Sequence, residues 1–172
     1  EISDSQMILE QIETANLFIL PLDHQRHWYR YHHLFADLLR HRLRMAFPDR
    51  IPELHRLASK WYQDEEDIDN AIHHAQAAND IGQVVEILEK NWQSLVHRGE
   101  LTKMKQLMDG LGPGITRKSA PLSMAYCWFY NLTRSPGAIP EHIQDIREIW
   151  QKKSPEEYAR LPIHLAVIPS LV

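Results

Sequence analysis

Apolar residues recur every three or four positions over most of the chain, which is the pattern of amphipathic α-helices. After Pro52, a residue suited to a first helical turn, the spacing predicts helices, and no stretch there alternates as a strand would. Pro162 and Pro169 leave the last twenty residues ambiguous. The predicted helices span about residues 52–64, 67–79, 80–98, 100–111, 121–134 and 140–153.

The first fifty residues combine helical and extended patterns. The predicted elements are a helix at about 5–15, strands at 18–22 and 27–31, and an amphipathic helix at about 33–47. The order helix, hairpin, helix is typical of the C-terminal half of a winged-helix domain. We therefore predict a mainly α fold with a partial winged helix at residues 1–50 and a helical-repeat region at residues 51–172. We expect the first domain to begin upstream of Glu1 and the second to continue beyond the last residue.

The predicted helices after residue 51 form pairs. Small residues allow close approach of neighbouring helices, so an α-solenoid-like array of antiparallel helix pairs is predicted, with a compact helical bundle as the alternative. The first helices of successive pairs carry Trp61, Trp92 and Trp128. Small or flexible apolar residues of the second helices are Ala71, Ala75, Ala78, Met104, Leu107 and Met108.

The composition, 44% hydrophobic and 24% charged, is that of a folded globular chain and argues against disorder. One cysteine, Cys127, gives no disulfide framework and no thiolate metal site, and it favours a reducing, cytoplasmic compartment. No apolar run has the length of a membrane span, and the N-terminus has no signal-peptide pattern. We therefore expect a soluble protein without a membrane partner.

The eleven histidines suggest a metal site, but their spacing opposes it. His73 and His74 are adjacent on a predicted helix and diverge, and His32 and His33 flank a strand–helix junction. No motif for a metal, a nucleotide phosphate or a catalytic nucleophile is present. We expect no metal ligands, no catalytic residues and no enzyme activity in this chain.

Direct nucleic-acid binding, with a helical dimerisation tail, is one alternative function. In a winged helix, the helix before the hairpin normally supplies donors to the major groove. Here that helix reads SQMILEQIETA, and Glu10 and Glu13 would be repelled by phosphate. The candidate phosphate contacts elsewhere are Arg26, Arg40, Arg42 and Arg44.

A helical-repeat scaffold for a peptide or a small effector is the other alternative. Such a scaffold needs a concave groove with exposed aromatic side chains. Tyr126, Trp128 and Tyr130 are the candidates, although an aromatic stripe at helical spacing usually belongs to a core.

The stretch WYRYHHLFADLLRHR, residues 28–42, concentrates aromatic, histidine and arginine side chains. We predict that its apolar members pack the hairpin onto the following helix and that its arginines form a solvated or inter-domain face. The apolar members are Trp28, Tyr29, Tyr31, Leu34, Phe35, Leu38 and Leu39.

Several separate motifs give the chain a family resemblance. They are ANLFILPLD, WYRYHHLFADLLRHRL, ELHRLASKWY, DIDNAIHHAQAANDIGQVVEIL and LVHRGELTKMKQLMDGL, in this order over about residues 7–111. Through them the chain resembles the MalT-like transcriptional regulators of the LuxR type, which are signal-transducing NTPases with numerous domains. Beyond about residue 120, only the helical pattern supports the interpretation.

The resemblance implies that the chain is one part of a larger regulatory protein that changes between two states. Such regulators join an ATPase domain, a winged helix, a tetratricopeptide-like superhelix that senses an effector, and a C-terminal DNA-binding domain. It implies that this chain is a regulatory relay without ATPase or DNA-binding activity of its own. The implied partners are the flanking domains of the same protein and an unknown small-molecule or protein effector, with DNA contacted only through the C-terminal domain. ATP or ADP is implied for the longer protein and no cofactor for this chain alone.

The resemblance also implies a role for His32. Residues 31–34, YHHL, are similar to a methionine-histidine-aspartate motif whose histidine contacts the phosphates of ADP bound to the ATPase domain. Tyr31 and His33 depart from that motif. The alternative is structural: His32 caps the following helix or fills the corner between hairpin and helix.

Overall fold

The structure, a computed structural model, describes residues 2–15, 18–25 and 28–152, without the side chains of residues 2–6 and Trp150. Two compact units divide between Leu54 and His55, within helix α3. The predicted mainly α fold, a winged-helix segment followed by a helical array, is confirmed. The elements are α1 (Ile2–Thr14), β1 (Ile19–Pro21), β2 (Tyr29–Tyr31), α2 (His33–Ala46), α3 (Ile51–Asp64), α4 (Ile68–Ala77), α5 (Ile81–His97), α6 (Leu101–Leu111), α7 (Pro113–Thr116), α8 (Ala120–Leu132) and α9 (Ile139–Gln151).

The hairpin of the first unit is shorter than the sequence predicts. Its strands pair antiparallel, with Leu20 opposite Arg30 at the centre. Beyond the strands, the backbone N–H of Leu22 donates to the carbonyl of Trp28 at 2.8 Å. Arg26, a candidate phosphate contact, lies outside the described residues. Three paired residues in each strand thus anchor β2 directly in front of α2.

The packing predicted for residues 28–42 is only partly found. Phe35 stacks on Phe18 at 5.0 Å and meets the edge of Tyr31 at 5.5 Å, and Ile19 is buried. No residue of α2 is fully buried. A unit of this size has too few elements to cover both faces of its helices. The residues predicted to pack that are exposed instead are Trp28, Tyr31, Leu34, Leu38 and Leu39.

The second unit has a continuous apolar core. Within it α4 packs on α5, α5 also packs on α6 and α8, and α8 packs on α9. The fully buried large side chains of this core are Ile87, Leu88, Leu95, Met104, Met108 and Leu122. In the part of the chain that the structure describes, no helix has the length and apolar character to cross a membrane.

Side-chain caps define where three helices of this unit begin. Asp67 accepts a hydrogen bond from the backbone of Asn70 at the start of α4, and Asp80 accepts one from Gln83 at the start of α5, both at 3.1 Å. Ser119 does the same for α8. Each cap satisfies an N–H that has no partner inside its helix. These caps explain why the sequence predicts these helix starts to within one or two residues.

A buried hydrogen bond links α3 to α4. The hydroxyl of Ser59 donates to the carbonyl of Ala71 at 2.7 Å, and Ala71 and Ala75 are fully buried. The extensive packing of α4 is on α5. The role of the small residues in helix approach stays a prediction.

The three tryptophans are not equivalent positions of a repeat. Trp92 is 8% exposed and belongs to the core, Trp128 is half-buried, and Trp61 is 43% exposed. Short elements that the helical periodicity does not predict interrupt the pairs. They are α7 and the 3₁₀ turn Pro136–Ala138. Because the connections between helices differ in length and structure, corresponding helix faces pack against different neighbours. The tryptophan positions are therefore not buried to the same extent.

Candidate functional sites

The backbone of His32 is fixed at the junction between β2 and α2. Its N–H donates to the carbonyl of Phe18 at 2.6 Å, and its carbonyl accepts from the N–H of Ala36 at 2.9 Å. It occupies the N-cap position of α2, but its side chain makes no capping hydrogen bond. The half-buried ring lies 4.3 Å from the ring of His33, between centroids. The capping alternative for His32 is therefore wrong.

The α2 helix beside this junction carries exposed arginines. Arg40 is paired with Asp37 at 2.9 Å, with both side chains about two-thirds exposed. Arg44 donates from Nε to the carbonyl of Arg40 at 3.3 Å. A pair this exposed is weak and leaves the helix face basic, as the sequence predicts.

A pocket of about 300 Å³ opens in the second unit, where α6, α7, α8 and α9 meet. Tyr126 donates from its hydroxyl to Asp109 at 2.8 Å, and Lys105 donates to the other oxygen of that carboxylate. Arg117 makes a two-bond contact with Asp145, at 2.7 and 2.9 Å. The residues that line the pocket are Asp109, Gly112, Pro113, Thr116, Arg117, Tyr126, Tyr130, Ala138, Glu141 and His142.

Three aromatic rings form one wall of this pocket. The rings of Tyr126 and His142 are parallel within 7° at 4.6 Å, and Tyr130 lies 6.1 Å from Tyr126. Burial lowers the pKa of His142, although the neighbouring Asp145 acts in the opposite direction. Burial, with the bond to Asp109, raises the pKa of Tyr126 and keeps its hydroxyl protonated. Near neutral pH the rings of Tyr126 and His142 therefore carry no charge.

The sequence indicates Tyr126 and Tyr130 as candidates but does not indicate the ionisable residues of the pocket. Asp109, Arg117 and His142 stand on different elements, and no spacing in the sequence links them. Trp128, the third aromatic candidate, does not line the pocket. Only the tertiary contacts of α8 with α6 and α9 assemble the site.

A second histidine cluster joins α3 to α4. The Nδ1 atoms of His55 and His74 are 2.8 Å apart, so one ring donates and the other accepts. Burial lowers the pKa of His74, and its neighbours His55 and His73 act in the same direction. Among the described residues, no three histidine, cysteine, aspartate or glutamate side chains are grouped as a metal site requires. The cluster is therefore a side-chain contact between helices.

Cys127 provides a test of the core. It is buried in α8, and burial raises the pKa of its thiol to about 11. Because the thiolate is the reactive form, the native chain should not react with Ellman's reagent at pH 8 over a time in which the denatured chain reacts fully. Measuring the released thionitrobenzoate in buffer and in denaturant checks this. Equal rates in the two solutions would contradict the buried position.

The hydrogen bond between Tyr126 and Asp109 provides a test of the pocket. Tyr126→Phe should lower the free energy of unfolding by about 1–2 kcal/mol, because it removes a bond to a charged acceptor. Urea denaturation followed by circular dichroism measures the change. In an Asp109→Ala background the same substitution should cost much less, and an equal loss in both backgrounds would show that the bond contributes nothing.

Comparison with known proteins agrees with the geometry of the first unit. Residues 1–51 match the family model of the MalT winged helix domain. The chain is MalT-like. It is 28% identical over 153 residues to the transcriptional regulator MalT of Vibrio parahaemolyticus, which covers 89% of this chain and 17% of that protein. It is 33% identical over 125 residues to MalT of Yersinia pestis, or 73% of this chain and 14% of that protein.

The MalT-like chain also resembles a protein of another class. It is 30% identical over 135 residues to the serine/threonine-protein kinase PknK of Mycobacterium tuberculosis, or 78% of this chain and 12% of that protein. No solved structure matches the chain. The chain thus spans 12 to 17% of the length of these three relatives. The predicted family resemblance is confirmed, and the relatives point to a regulatory segment.

Proposed function

We propose that the MalT-like chain is a regulatory relay within a longer, ATP-dependent and effector-controlled transcriptional regulator. It connects a nucleotide-binding domain to a sensor domain and has no ATPase or DNA-binding activity of its own. The match of residues 1–51 to the MalT winged helix domain carries this proposal. The similarity to MalT over 89% of the chain supports the same role for the helical array. The regulator acts in the cytoplasm.

His32 is the proposed contact with bound ADP. Its backbone is held by Phe18 and Ala36, and its ring is not used to cap α2, so the ring is positioned yet available. A hydrogen bond from the ring to a diphosphate would be charge-assisted, and it would favour the ADP-bound arrangement over the alternative. Effector binding is then transmitted through rigid-body movement of the helical array.

The test is His32→Ala in the full-length regulator that carries this chain. Losing one hydrogen bond to a charged group should weaken ADP binding roughly tenfold or more. Because ADP holds the resting state, basal transcription activation should rise. Titration with fluorescent ADP and a reporter assay without effector measure the two effects.

His33→Ala is the matched control, because His33 is the neighbouring histidine and is exposed. It should leave both ADP affinity and basal activity near the parent values. Unchanged ADP affinity in His32→Ala, or equal effects of the two substitutions, would refute the proposed contact.

A further inference from the structure

The pocket between α6 and α9 has the lining of a ligand site. We propose that it binds a small organic ammonium ion, with Glu141 as the counter-charge and the Tyr126 and Tyr130 rings as the apolar surface. Its volume of about 300 Å³ lies at the lower end of the range for small-molecule sites. The inference concerns the second unit alone and does not depend on the role proposed for His32.

The charges of the lining favour a cation. Asp109 is compensated by Lys105, and Arg117 is compensated by its two bonds to Asp145. Glu141 makes a long ion pair with Arg117, at 4.0 Å, which is beyond hydrogen-bond distance, and its side chain is 72% exposed. A carboxylate at the pocket edge is therefore open to a ligand. With the two compensated pairs set aside, the net charge of the lining is negative.

Glu141 stands in the first turn of α9. The positive end of the helix dipole, equivalent to about half a charge, favours the ionised carboxylate. For a cation beside Glu141, attraction to the full negative charge of the carboxylate is stronger than repulsion by the half charge of the helix end. The site therefore attracts cations despite lying at a helix start.

The aromatic wall suits the body of such a ligand. A cation gains energy over the face of a tyrosine ring, and alkyl or aromatic groups pack against the same surface. Tyr126 and Tyr130 lie nearly parallel, with 19° between their planes. His142 stacks beside them, and because burial lowers its pKa, it adds no positive charge that would repel the ligand.

The probe for this site is tyramine, and its matched control is 4-ethylphenol, which has the same ring without the ammonium group. Two-dimensional amide NMR of the 172-residue chain follows each titration. Tyramine should shift the amide signals of Gly112 and Arg117 in the pocket, and 4-ethylphenol should bind at least about tenfold more weakly. Tyramine affinity should fall as salt is raised, since the attraction is between exposed charges.

Glu141→Gln removes the charge and keeps the shape of the side chain. Because the carboxylate is exposed, tyramine affinity should fall about three- to fivefold. Glu86→Gln, at an exposed glutamate of α5 outside the pocket lining, should leave the affinity unchanged. No shift at pocket residues, equal binding of tyramine and 4-ethylphenol, or equal effects of the two substitutions would overturn the proposal.

Discussion

Trp92→Ala should lower the free energy of unfolding of the second unit by about 3–5 kcal/mol. The side chain is 8% exposed and belongs to the core formed around α5. Its removal takes away the transfer free energy of a large aromatic group, and it leaves a cavity that rigid helices fill only in part. Urea denaturation followed by far-ultraviolet circular dichroism measures the loss.

Trp61→Ala is the matched control for this substitution. Trp61 occupies the corresponding place in the preceding helix pair, but it is 43% exposed and meets the edge of Tyr62 at 4.9 Å. The free energy of unfolding should fall by only about 1 kcal/mol, because the partly exposed side chain removes less apolar surface from water than a core tryptophan does. Similar losses for the two variants would mean that the tryptophans are equivalent repeat positions after all.

Ala75→Leu should destabilise the second unit by about 1–3 kcal/mol through overpacking. Ala75 is fully buried in α4, in the core that this helix shares with α5. Three additional carbon atoms have no space there, so the helices must separate or the side chain must leave its preferred rotamer. The midpoint of urea unfolding should decrease accordingly.

Ala77→Leu, two residues further along α4, is the matched control. It makes the same change in helix propensity as Ala75→Leu without the change in core packing. Ala77 is exposed, and leucine is almost as good a helix former as alanine. The free energy of unfolding should change by less than about 0.5 kcal/mol. If Ala75→Leu were equally harmless, the contact of α4 with its neighbours would be looser than the burial of Ala75 indicates.

Much of the fold follows from local signals in the sequence. Helix starts are marked by capping residues such as Asp67 and Asp80, whose hydrogen bonds depend only on residues three positions later. The hairpin is marked by aromatic and β-branched residues on both sides of a turn. These signals need no knowledge of tertiary structure, so the sequence predicts the long helices correctly.

The errors concern burial and distant neighbours. The periodicity that places Leu34 and Leu38 on one helix face is correct, but a helix face is buried only if another element covers it. The tryptophan repeat fails for the same reason at Trp61. The pocket needs Asp109 beside Tyr126, seventeen positions away, and Arg117 beside Asp145, twenty-eight positions away. No single-sequence pattern contains that information.

Helix α5 belongs to three interfaces at once, with α4, α6 and α8. Its partners are the second helix of its own pair, α6, and one helix from each neighbouring pair, α4 and α8. This is the pattern of a helical array, whose stability depends on the interfaces between adjacent pairs. A substitution that loosens α5 would therefore weaken the pairs on both sides of it at once.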